Sequence, residues 1–254
     1  MEGGTLLEDW WTKISQDFVP YLNVTTQLED SPDQGLLGEK GGNGFPTLYF
    51  MEPETGAVLN DWWWPDSEET VRSTHDAAKK KAADLVALMK RAEANKDDAA
   101  LQAGLKIKLA MMYAGDTPLE ELGRLAETEG LDAGIKAEFD AWYGGRMVAS
   151  ARDEAGKTAK SREEFMEKAG AAMYGLLKGG LLLPVDHEAA QDLYGLGLEG
   201  AVAAGDKEIA MLALEHYEKV MNKMVEDNPR YEEQIKAMIE EAKGKVDGLT
   251  SKEA

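Results

Sequence analysis

Few side chains in this chain could do chemistry. There is no cysteine, and the only histidines are His75, His187 and His216. Helical zinc ligands sit about one turn apart, and no His-x3-His spacing occurs, so no metal site is predicted. Asp186-His187-Glu188 reads as a helix start and Glu215-His216 as part of a helix face. Without a thiol there is no disulfide, no thiolate nucleophile and no dithiol exchange. Carboxylates are abundant, with 48 Asp and Glu against 28 Lys and Arg. They read mostly as a solvated face, and spacing picks out no pair as an acid–base couple. No catalytic residue and no cofactor are predicted.

Two glycine-bearing stretches imitate nucleotide sites by their letters. Gly195-Leu196-Gly197-Leu198-Glu199-Gly200 matches the dinucleotide fingerprint. That fingerprint works only where a strand ends and a helix begins. Here it falls inside a helical segment starting near Asp186, which points to close helix packing. Ala151-Arg152-Asp153-Glu154-Ala155-Gly156-Lys157-Thr158 ends like a phosphate loop. No strand precedes it, and two acids stand where backbone N–H groups would cradle phosphate. It reads as a turn between helices. Asn23-Val24-Thr25 is a glycosylation sequon by letters, inside a predicted buried strand.

A formal charge of −20 opposes nucleic acid and anionic membrane surfaces, which both need Lys and Arg. Apolar residues make up 43 % of 254, enough for one large or two ordinary domains. Met-Glu-Gly-Gly is not a signal-peptide start, so the chain as written is expected to be cytoplasmic.

The elements fall into two parts. Residues 6–14 have the apolar spacing of a short amphipathic helix, residues 18–25 read as a strand, and residues 32–39 as a short helix with Pro32 in its first turn. Thr47 to Phe50 is β-branched and aromatic, and Ala57-Val58-Leu59 returns after a turn at Glu54-Thr55-Gly56. The run Trp62-Trp63-Trp64 cannot place three neighbours on one face, so it is either packed core or a partner surface. Residues 68–94 form one long helix, and a boundary is expected near residue 95. From 97 onward every signal is helical. Breaks near Gly115, Gly156 and Gly205 separate three hairpins, 98–114 with 118–129, 132–154 with 161–178, and 186–204 with 206–226. Pro229 opens a capping helix ending near Val246.

Phe18–Thr25, the helix after it, and Gly44-Phe45-Pro46-Thr47-Leu48 followed by a hairpin resemble the thioredoxin fold, with Phe45–Pro46 as its cis-proline loop. The resemblance implies an α+β fold over residues 1–95, mostly α overall once the all-α helical-hairpin repeat domain, 96–254, is added. That second part resembles tetratricopeptide hairpins in build only. The family's dithiol and first strand would fall ahead of Met1. The resemblance implies that 18–25 lies beside 46–51, or that a second chain completes the sheet as a homodimer.

The function expected is therefore non-catalytic protein or peptide binding. Phe45, Pro46 and Thr47 would contact peptide by family resemblance, and Trp62, Trp63 and Trp64 would form a partner surface. The alternative is a truncated exported thiol-disulfide oxidoreductase, periplasmic or secreted, whose Cys pair lies upstream of Met1.

Overall fold

The computed structural model describes residues 8–21, 33, 35–42, 47–60, 67–115 and 117–250. Among them the regular structure is helical, with no strand. The chain divides into two compact units, Met1–Phe139 and Asp140–Ala254. Unit 1 holds α1 (Asp9–Ile14), α2 (Leu36–Glu39), α3 (Glu68–Ala94), α4 (Ala99–Met111) and α5 (Leu119–Ala126). The division falls inside α6 (Ala133–Thr158), and unit 2 continues with α7 (Arg162–Lys178), α8 (Ala190–Ala204), α9 (Lys207–Asp227) and α10 (Glu232–Thr250).

Unit 1 is organised on α3. The Ser67 side chain accepts a hydrogen bond from Thr70 N, and Glu68 and Glu69 sit in the positive first turn. Val71, His75, Ala78, Leu85 and Ala92 are buried along one stripe of the helix. Asp98 caps α4 in the same way, through Leu101 N, and Gln102 Nε2 donates to Ala92 O to tie α4 to the end of α3.

The thioredoxin-like expectation fails here, and the reason lies in where backbone groups find partners. Residues 47–60 do turn at Glu54-Thr55-Gly56, but they make one isolated antiparallel bridge, Met51 with Val58. Phe50 N donates to the Asn60 side chain at 2.6 Å, and Asn60 Nδ2 donates to Leu48 O. Val58 N donates to Met112 O at the end of α4. The buried Glu52 carboxylate takes Glu54 N, Thr55 N and the Thr55 hydroxyl. Side chains and a helix end thus satisfy groups that a ladder would have paired. The predicted first strand is not one over 18–21 either. Val19 is 92 % exposed there, while Phe18 packs edge-on to Phe50 with ring centroids 5.3 Å apart. Phe18 and Phe50 enclose His75 of α3, so the aromatic residues that looked strand-like cover a helix instead.

An α+β domain, a thioredoxin-like fold with its cis-proline loop, and a homodimer formed through an incomplete sheet are accordingly all corrected, because each requires a sheet. Residues 22–25 and Phe45 and Pro46 lie outside the described residues. Thr47 is half-buried at the start of the extended run.

The helical expectations from 97 onward fare better. The helical segments assigned to the three hairpins and the capping helix correspond to α4 to α10, each within a few residues of its predicted limits, with a short 3-10 turn at Pro229–Tyr231 ahead of α10. In unit 2, α7 and α8 approach through glycine. A Cβ on Gly200 would lie 2.0 Å from Gly170 O, and one on Gly197 would lie 2.4 Å from Leu177 Cδ1. The core beside this crossing contains Met173, Leu177, Leu193, Leu198 and Ala201, and it continues through Ala210, Ala213 and Met221 of α9 to Ile235 and Ile239 of α10. Buried Tyr194 donates to Leu183 O and accepts from Leu183 N, fixing the loop between α7 and α8. Its ring stacks on His216 at 4.7 Å. Asp206 caps α9 through Ile209 N and also accepts from Tyr174 of α7, a contact that Lys178 reinforces.

Candidate functional site

The letter motifs resolve into packing. Gly197 and Gly200 are the α7–α8 contact, not a pyrophosphate turn. Ala155-Gly156-Lys157-Thr158 is the last turn of α6, where Thr158 Oγ1 donates back to Glu154 O and Thr158 O accepts from Lys168. Ser161 and Glu164 then form a reciprocal cap at the start of α7, through Glu164 N and Lys160 N. The histidines do not converge. His75 lies among aromatic rings, His187 Nδ1 accepts from Ala189 N, and His216 Nδ1 is buried without a partner. Among the described residues no three of His, Cys, Asp or Glu come together to hold a metal ion. No helix among them is long and apolar enough to cross a membrane.

Unit 1 has a cleft of about 530 Å³ between α3 and α4, walled by Leu85, Leu88, Met111 and Met112. Two of its polar groups, Asn60 and Lys108, are already engaged. Asn60 is held by the backbone of residues 48 and 50, and Lys108 is paired with Glu138. At its edge Tyr113 has φ +52 after the end of α4, and its carbonyl accepts from Lys40. A ligand meeting Asn60 or Lys108 would have to compete with these bonds.

Unit 2 carries a smaller groove, about 270 Å³, over α8. Met166 of α7 and Met238 of α10 wall it, 40 % and 37 % exposed. Its floor contains Gly195 and Tyr217. A Cβ at Gly195 would stand 3.2 Å from the Tyr217 ring, so the bare glycine lets that ring lie close against α8. Tyr217 is only 8 % exposed, and its hydroxyl has no hydrogen-bond partner among the described residues. Burial pushes that hydroxyl's pKa up, and the nearby Glu199 carboxylate adds to the rise, so it stays a protonated donor. The ends of the groove are charged. Arg152 pairs with Asp192 at 2.6 Å, and Lys245 bridges Glu199 at 2.7 Å and Glu241 at 2.9 Å.

The groove is therefore apolar, walled by flexible thioethers, and equipped with one unused donor. It draws on four helices whose contributing residues are far apart in sequence. None of the residues proposed from the sequence belongs to it: Thr47 lies in unit 1, and Trp62, Trp63 and Trp64 lie outside the described residues. The one sequence signal bearing on it was Gly195, part of the stretch read from the sequence as close helix packing. Searches against protein-family models, curated proteins and solved structures find no match to this chain.

Proposed function

We propose that this chain is a non-catalytic binding protein in which unit 2, read as an array of helical-hairpin repeats, takes a protein or peptide segment in the groove over α8. The observation that carries the reading is the groove itself: two exposed methionines wall it, and the mostly buried ring of Tyr217 lines it with a hydroxyl that no group among the described residues engages. An apolar groove with one available donor is the ordinary build of a binding site. At about 270 Å³ the groove lies just under the size of ordinary cofactor pockets and suits a few side chains of a larger partner. Methionine supports such a role because its unbranched, polarisable side chain repacks around different apolar surfaces. The oxidoreductase alternative depended on the thioredoxin-like sheet and has lost that support.

The test is fluorescence anisotropy with labelled helical peptides of basic, neutral and acidic composition, on the natural protein and on Met238→Asp. Binding by at least one peptide, weakened by the substitution, supports the reading. Absence of binding by all three, or binding indifferent to Met238→Asp, overturns it.

A further inference from the structure

We infer that the segment taken by the groove is a basic amphipathic helix, with two Lys or Arg residues seven apart flanking an apolar pair; this rests on the binding role proposed above. Asp192, Gly195 and Glu199 lie at steps of three and four on α8, hence on one stripe of that helix. The two acids are two turns apart, roughly 10 Å, and Gly195, with the Tyr217 ring against it, lies between them. Glu241 of α10 adds a third carboxylate at the Glu199 end, against Arg152 and Lys245 as the local cations. Unit 2 as a whole has 22 acids and 15 bases over residues 140–254.

The ion pairs at the rim are partly exposed, and such pairs are weak enough for an incoming guanidinium or ammonium to exchange into them. The apolar floor and the methionines then receive the residues between the two cations. Strand addition is not offered by the described residues, which contain no strand, so side-chain spacing carries the recognition. A helix laid along α8 suits the groove because a seven-residue spacing on it matches the seven residues between Asp192 and Glu199. A second copy of this chain is a poor occupant, since it would bring another −20 to an acidic rim.

The probe is an acetylated, fluorescein-labelled alanine-based helix of about 15 residues, with two lysines seven apart and two leucines midway. One control replaces both lysines by glutamate, and another moves one lysine to the opposite face. The basic probe is expected to bind about tenfold tighter than either control at low salt, an advantage that shrinks as salt rises. Asp192→Asn with Glu199→Gln, both at the surface and nearly isosteric, is expected to erase that advantage while the fold persists by circular dichroism. If the three probes bind equally and Met238→Asp still weakens them, the groove stands and the basic-helix assignment is wrong. If no probe binds the natural protein, the binding role falls with it.

Discussion

Replacing Gly200 by alanine tests the helix crossing on which unit 2 is built. The new Cβ would stand 2.0 Å from Gly170 O, 2.5 Å from Gly170 C and 2.9 Å from Tyr174 Cβ. Backbone cannot rotate away as a side chain would, so α7 and α8 must separate by about 1 Å or more to restore van der Waals contact. Overpacking of this kind costs about 1–3 kcal/mol, and a clash against backbone belongs at the upper end. Alanine returns about 1 kcal/mol through its higher helix propensity. The expected net loss is about 2 kcal/mol. The same substitution at Gly244, exposed within α10 with nothing within 4 Å of its Cβ, meets no clash and should gain up to about 1 kcal/mol. At about 2–4 °C per kcal/mol, Gly200→Ala should melt about 4–8 °C lower and Gly244→Ala up to about 4 °C higher. Thermal unfolding followed by circular dichroism reads both. Equal shifts, or a Gly200→Ala that is stabilised, would refute the close approach.

Two further substitutions test other anchor points. Tyr194→Phe leaves the backbone N–H and C=O of Leu183 without their buried partner, and should cost about 2–3 kcal/mol in urea unfolding. For Glu52, burial alone would raise the carboxyl pKa, but the hydrogen bonds from Thr55 and Glu54 outweigh it and hold the group below its ordinary 4.5. A depressed folded pKa gives stability that is complete above the unfolded value and disappears as pH falls through the folded one. Glu52→Gln should therefore weaken unit 1 by on the order of 1–2 kcal/mol at neutral pH. The natural protein and the variant should converge in stability below pH 4.5, as measured by urea titrations across the acid range.

The helices of the second half were legible because their boundaries are chemically local. Gly205 adopts φ +71 after α8 and Asp206 caps α9 at once, while Ser161 and Glu164 cap α7 within four residues. The sheet was misread because Thr47–Phe50 has strand-like residue types but no strand-like partner. Phe50 packs on α3, and the backbone of residues 48 and 50 is met by the Asn60 side chain, a solution that β propensity does not encode. The groove was not legible at all. Met166, Gly195, Tyr217 and Met238 belong to four helices, and only the fold brings them together. Gly195 was read from the sequence as a packing glycine, and on α8 it is one, with the Tyr217 ring of α9 lying against it between two carboxylates.

The most direct test of the binding account is methyl NMR of the methionines, of which the chain has 12, during titration with the basic probe. Met166 and Met238 should shift together and saturate at the same peptide concentration. Met211, 54 % exposed on α9 outside the groove, should stay in place. Unmoved Met166 and Met238 signals at saturating peptide, or shifts at Met211 as large as theirs, would contradict the account.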